Sequence, residues 1–145
     1  MKANVYIMLA SAFLMVAGLN LNVDAQCKSF TKKKCVPKLS PFIHNGQFNS
    51  AVIAAGESVE IGMVFYKGQD YRILVGSQQV LGDVVFKLLD GSGKELYNNN
   101  GDENIFDFNV DATQRLTINI KAPASESATG IMPSGCIALL IGFKD

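Results

Sequence analysis

The stretch from Glu57 to Asp90 limits what this chain can fold into more than any other. Val59, Ile61, Met63 and Phe65 occupy alternate positions, with Ser58, Glu60 and Gly62 between them. Tyr71, Ile73 and Val75 alternate in the same way with Asp70 and Arg72, and Val84, Phe86 and Leu88 alternate with Val85, Lys87 and Leu89. A helix repeats its faces about every 3.6 residues, whereas a strand repeats them every second residue. A period of two is therefore the mark of a strand with one buried face. The spacing predicts strands over Glu57 to Tyr66, Gln69 to Gly76 and Asp83 to Asp90, with Lys67-Gly68 as a tight hairpin turn between the first two.

The flanking sequence extends this pattern. Asn49 to Ala55 reads as an earlier strand, closed by Gly56. Asp90-Gly91-Ser92-Gly93 is turn chemistry, because glycine accepts positive φ without steric cost. Lys94 to Tyr97 reads as a short returning strand, and Asn98 to Asn104 as an exposed polar tip. Phe106, Phe108 and Val110 alternate with acids and Asn109, and Leu116, Ile118 and Ile120 alternate with Thr117, Asn119 and Lys121. Both segments predict edge or outer-sheet strands with one wet face. Cys136 to Phe143 is apolar almost without interruption, which predicts a central strand covered on both sides. About eight strands, with turn signals between them and no long helical period, predict an all-β fold: a single antiparallel β-sandwich, jelly-roll-like in form.

The N-terminus follows another rule. Lys2 precedes an apolar run from Val5 to Leu19, and Val23-Asp24-Ala25 closes it with small or short residues at the outer and last positions. That is the anatomy of a cleaved secretory signal peptide over residues 1–25. The run is shorter than the roughly 20 residues a membrane span needs. Cys27 lies close to the cleavage point, but Asp24-Ala25-Gln26 before it fits a lipidation site poorly. The expected organisation is a signal peptide over 1–25, a basic lead-in over 26–50 that contains Cys27 and Cys35, and a sandwich domain over 51–145. Such a protein is exported, periplasmic or secreted.

Charge is neutral over the whole chain, which argues against a dedicated nucleic-acid binder. Its distribution is uneven. Lys28, Lys32, Lys33, Lys34 and Lys38 crowd into Gln26 to Lys38 with no acid among them, and the remainder carries an equal excess of acid. This basic run reads as a solvated tether or helix face, or as a contact for an acidic surface such as phospholipid or lipopolysaccharide headgroups. Three cysteines, Cys27, Cys35 and Cys136, would meet an oxidising compartment. They allow three single pairings, and the sequence does not choose among them. Cys35 with Cys136 would staple the lead-in to the last strand, and Cys27 with Cys35 would close a local loop.

Gly68-Gln69-Asp70-Tyr71-Arg72-Ile73-Leu74-Val75, Gly82-Asp83-Val84-Val85-Phe86, Leu89-Asp90-Gly91-Ser92-Gly93-Lys94 and Phe106-Asp107-Phe108 together resemble the bacterial pre-peptidase C-terminal (PPC) type of β-sandwich. The resemblance spans roughly Ala54 to Phe143, and it departs at Thr113-Gln114-Arg115-Leu116, where such domains carry Gly-x-Tyr. With the lysine- and cysteine-bearing lead-in and His44-Asn45-Gly46-Gln47, the chain also resembles small stand-alone exported bacterial proteins. The resemblance implies a non-catalytic module and names no ligand.

The residues themselves point away from catalysis. His44 is the only histidine. It sits in a turn, and neither Ser40 nor Ser50 lies in a nucleophile elbow. Cys136 opens an apolar strand, where a thiol is paired or buried. No cofactor is expected. Asp90, Asp102 and Asp107, with Ser92, Glu103 and Asp111, offer oxygens that calcium would take, but Lys94 intrudes on the pattern and solubilising turns account for them. Tyr66, Tyr97 and Phe48 are the candidate platforms for a sugar ring. The functional expectation is a non-catalytic exported interaction or structural module, its partner another envelope protein or a glycan. The alternative is a carbohydrate- or surface-binding module. Val85, Leu89 and Leu74, if they face solvent, would make the apolar interface patch.

Overall fold

A computed structural model describes residues 23–125 and 128–144. The signal-peptide expectation falls mainly on residues 1–22, outside the described residues. The described residues open with helix α1 (Val23–Phe30), one π turn (Thr31–Cys35) and a 3-10 turn (Val36–Leu39). Among the described residues nine strands follow: β1 (Ile43–His44), β2 (Asn49–Ala54), β3 (Ser58–Phe65), β4 (Asp70–Ser77), β5 (Val85–Leu89), β6 (Glu95–Asn98), β7 (Ile105–Asn109), β8 (Gln114–Lys121) and β9 (Ser134–Lys144). All the pairings are antiparallel.

One sheet runs β2-β9-β4-β7, with β1 also on β9, and the other runs β3-β8-β5-β6. These are the two strand orders of a jelly roll. The all-β sandwich expected from the sequence is the fold, with β1 as an additional short strand. Ile73, Val75, Leu139 and Ile141 of the first sheet meet Phe65, Phe86, Ile118 and Ile120 of the second in the main core. Ile73, Val75, Phe65, Phe86, Ile118 and Ile120 are positions that the period of two assigns to a buried face, while Leu139 and Ile141 belong to the run read as covered on both sides.

The alternation identified faces correctly but partners less well. β3 pairs with β8 and β4 pairs with β7 and β9, so the two strands belong to different sheets. Lys67-Gly68 is therefore not a hairpin turn but a corner between layers. Gly68, at φ +84, donates its N–H to Val110 O at 3.0 Å, and Lys67 N–H donates to Thr113 Oγ1 at 3.0 Å. The corner is thus tied to the equivalent crossing between β7 and β8. The expected patch of Val85, Leu89 and Leu74 does not form. Leu74 is fully buried in the first sheet, while Val85 and Leu89 are half-buried in the second.

β9 is the central strand that its sequence predicts. Along one edge it pairs with β2 and then β1, and along the other with β4. Ile137, Leu139 and Ile141 face the sandwich core. Ala138 and Leu140 face outward, where they join Leu74, Cys35 and Leu39 in a second, smaller core. The cover on that side is the basic lead-in, which is a docked helical layer rather than a tether.

Its sequence explains the docking. Cys27, Thr31, Cys35 and Leu39 recur every four residues and are all buried. In a regular helix that spacing would drift around the axis, and the wider π turn offsets the drift. Thr31 Oγ1 donates to Cys27 O at 2.8 Å, which satisfies a hydroxyl that would otherwise be buried alone. The sheet below is kept low by Gly76 and Gly142. A Cβ on Gly76 would collide with Cys35 Sγ, and one on Gly142 would lie 2.7 Å from Phe42 Cβ.

Candidate functional site

Cys27 of α1 is disulfide-bonded to Cys136 of β9, with the Cα atoms 5.3 Å apart. Of the pairings open to the sequence this is the one that forms, and Cys35 is left as a free, buried thiol. Burial raises the Cys35 pKa, with the Lys38 charge opposing it. Cys35 Sγ packs against Gly76 instead of a second sulfur.

The other end of the helical layer is held by Arg72. Its Nε and Nη2 donate to Asp107 Oδ1 and Oδ2, both at 2.7 Å, across the β4–β7 register. Nη1 donates to Ser40 O at 2.9 Å, and the guanidinium lies 4.5 Å from the centroid of the Phe42 ring. Donation to the Asp107 carboxylate raises the Arg72 pKa. Asp107 is therefore occupied as a structural acceptor. Asp90 is occupied too: its Oδ1 accepts from Ser92 Oγ at 2.6 Å, Ser92 N at 2.8 Å and Lys94 N at 3.0 Å. The Ser92 hydroxyl leads in lowering its pKa, followed by the Lys94 and Ser92 backbone N–H groups. Asp102 lies in the β6–β7 loop. Among the described residues, no three His, Cys, Asp or Glu side chains gather as a metal site would require.

His44 lies on β1. Its Nε2 is 3.1 Å from Gln47 O and its ring packs edge-on against Phe48, with centroids 4.7 Å apart. Tyr97, the other candidate platform, is partly buried. It stacks on Phe106 at 3.7 Å and tilts against Phe86 at 5.5 Å, inside the edge of the sandwich. Burial raises its pKa, and Glu103 and Asp102 add to the effect. Tyr66 is 60% exposed, as its position beside Lys67 suggests.

The two lateral seams of the sandwich differ. The aromatic rings of Phe86, Tyr97, Phe106, Phe108, Tyr71 and Phe65 form a continuous ladder of contacts that runs from the β6/β7 seam across to β3, and it leaves one cleft of about 280 Å³ at the β6/β7 side, lined by Leu96, Phe106 and Phe108 among others. Between β3 and the β1/β2 edge there is no such ladder. Ala51, Val59, Ile61 and Met63 touch the core but remain only partly buried. Two clefts lie along this seam. One of about 350 Å³ is lined by Met63, Tyr66, Ile141 and Phe143 among others. A second of about 320 Å³ is lined by Phe48, Asn49, Val59, Ile61 and Leu139 among others. The Asn49 Nδ2 atom beside the second cleft is buried and has no hydrogen-bond partner. Leaving such a donor unsatisfied costs roughly 1–3 kcal/mol. Exposed Phe48 and Tyr66 stand at the rims.

Sequence reasoning missed this seam because each strand taken alone looks properly half-buried. It also missed Asn99, a buried residue in a loop that reads as an exposed tip. Asn99 Oδ1 accepts from Phe86 N at 2.8 Å, and its Nδ2 donates to Glu103 O at 2.8 Å and Val84 O at 3.3 Å. The run Asn98-Asn99-Asn100 was the available signal, since asparagine side chains mimic backbone partners in turns.

No protein-family model matches the chain, and no curated protein matches it. Among solved structures, it is similar to PliG of Aeromonas hydrophila, a periplasmic lysozyme inhibitor of g-type lysozyme, at 11% identity and a TM-score of 0.51, over 68% of this chain and 85% of that one. PliG of Salmonella Typhimurium aligns at 13% identity and a TM-score of 0.43, over 67% of this chain and 89% of that one. The Yersinia pseudotuberculosis-derived mitogen aligns at 15% identity and a TM-score of 0.45, over 68% of this chain and 87% of that one. The likeness to the Aeromonas protein supports the sandwich fold assigned from the strand order.

Proposed function

We propose that this is a non-catalytic exported protein that binds a partner protein through the open seam between β3 and β1/β2. The observation that carries the reading is the pair of apolar clefts along that seam, with an unpaired amide at Asn49 and exposed aromatic rims. Partly exposed aliphatic side chains beside exposed Phe and Tyr are the composition of an interface core. β3 is also an edge strand, so its outer backbone is available to a partner strand. The Aeromonas fold-mate is itself an inhibitor of an enzyme, which supports a binding role for this sandwich.

Export is supported by the Cys27–Cys136 disulfide. A Cys27 sulfur held in that bond is not available to carry a thioether-linked lipid, which favours a periplasmic or secreted protein over a lipoprotein. No described helix is long and apolar enough to cross a membrane. A glycan-binding reading is less well supported, because Tyr97 is committed to the aromatic ladder and Tyr66 would act as a lone platform.

The test is a cross-linked pull-down from the native cells with the parent protein and an Ile61→Glu variant, run beside an inhibition assay on a g-type lysozyme. A stoichiometric partner captured by the parent and lost with Ile61→Glu is the expected result. A partner retained equally by both proteins overturns the seam as its site. Retention on polysaccharide that depends on Tyr66 would favour the glycan reading.

A further inference from the structure

We propose that the docked helical layer is a second binding surface, which holds the protein against the anionic headgroups of a lipid bilayer. The five lysines are arranged by the buried stripe beneath them. Cys27, Thr31, Cys35 and Leu39 point into the sheet. Lys28 and Lys32 follow the stripe by one residue and line one shoulder of the ridge, while Lys34 and Lys38 precede it by one and line the other. Lys33 stands between them at the crest. All five are exposed. Lys32 Nζ lies 5.5 Å from the Phe48 ring centroid, which places the first shoulder over β2. The second shoulder borders a groove of about 440 Å³ lined also by Ser77, Gln78, Gln79 and Asn104. Their amides and hydroxyl offer donors for phosphate oxygens.

Among the described residues, none of the five lysines has an ion-pair partner. Among the described residues, the salt bridges are Arg72–Asp107 and Lys87–Glu95. Like charges at i and i+4 repel along a helix, and here that arrangement occurs at Lys28/Lys32 and again at Lys34/Lys38. The fold nonetheless holds the array rigidly, by the disulfide at one end and by Arg72 at the other. A convex ridge suits a flat, charged plane better than it suits a pocket. The chain beyond Lys38 carries a net acidic excess equal to the lysine charge. An anionic surface therefore attracts the ridge, repels the body, and fixes one orientation. Each lysine near such a surface contributes about a fivefold gain in partitioning.

Vesicle co-sedimentation of the purified, disulfide-intact protein tests this. The vesicles are equal parts phosphatidylglycerol and phosphatidylcholine, with phosphatidylcholine alone as the reference. The expected result is binding to the anionic vesicles only, lost in high salt as the screening length falls to about 3 Å near 1 M. The Lys32→Glu, Lys33→Glu, Lys34→Glu triple variant should bind at least about a hundredfold less, with its thermal melt not lowered, because those side chains are exposed and the i,i+4 repulsion is removed. Equal binding to both vesicles, no binding at low salt, or an unaffected triple variant overturns the proposal. Displacement from the vesicles by inorganic phosphate at matched phosphate concentration, or by soluble polyglutamate at matched charge, overturns the lipid assignment in favour of a soluble anion. The seam variant Ile61→Glu should bind vesicles normally, so failure of one site is distinguishable from failure of the other.

Discussion

The sulfur of Cys35 occupies the space above Gly76 where any larger residue would place its side chain. The contact joins the end of the π turn to the end of β4, and it leaves no room for a methyl group. Gly76→Ala should destabilise the protein by about 1–3 kcal/mol, the range for overpacking a filled core. Urea unfolding measures it. Cys35→Ala in the same chain should recover part of the loss, because it removes the atom in the way.

Cys27→Ser or Cys136→Ser should cost more. The bond closes a sequence separation of 109 residues, and removal of a disulfide from a small exported domain costs about 2–5 kcal/mol. Thiol titration checks the pairing directly. The non-reduced protein should show one reactive thiol, and only after denaturation, since Cys35 is free and buried. Full reduction should raise the count to the three cysteines of the sequence.

Arg72→Ala should loosen the helical layer without melting the sandwich. It removes both bonds to Asp107 and the bond to Ser40 O. Hydrogen exchange should quicken in residues 36–42 while β8 and β9 stay protected. A double-mutant cycle with Asp107→Asn should give a coupling of about 1–3 kcal/mol, as for hydrogen bonds between charged groups.

The Asp90 carboxyl should titrate below the usual carboxylate range, because Ser92 Oγ and the Lys94 and Ser92 N–H groups donate to it. Its folded pKa is depressed, so whatever stability it adds is present above its unfolded pKa and is lost as pH falls through the folded value. Ser92→Ala should move the carbon-detected NMR titration of Asp90 upward, toward the ordinary value. No movement would sever Ser92 from the shift.

The two tyrosines proposed as platforms should separate cleanly. Tyr97→Ala should lower stability by about 1–3 kcal/mol, since it removes a ring stacked on Phe106 and tilted against Phe86. Tyr66→Ala should leave the melt within about 0.5 kcal/mol of the parent, as for most surface changes, and should show itself only in partner binding.

Much of the fold was legible in the sequence, because burial writes itself into alternation. Val59, Ile61, Met63 and Phe65 face inward as their spacing requires, and β9 is central because both of its faces are apolar. Alternation carries no information about which strand lies alongside. β3 and β4, adjacent in sequence, lie in opposite sheets, and that error also misplaced Leu74 beside Val85 and Leu89. The seam was illegible for a related reason. Whether Ile61 is sealed or open depends on whether an aromatic ladder or only Ala51 stands across from it, and that follows from the pairing. The Asn99 loop was hidden by polarity, since a buried asparagine and an exposed one look alike in a string.

The central position of β9 has a consequence for how the protein matures. β1, β2 and β4 all lean on a strand that is synthesised after each of them, so the first sheet has no centre until β9 has been made. Cys27 and Cys35 emerge long before Cys136, and for that interval each is the only cysteine within the other's reach. An early bond between them would have to be reopened before the native one could close. The bond between α1 and β9 therefore reports that β9 is in place, and a molecule cut short before Cys136 can neither assemble its first sheet nor lock its helical layer.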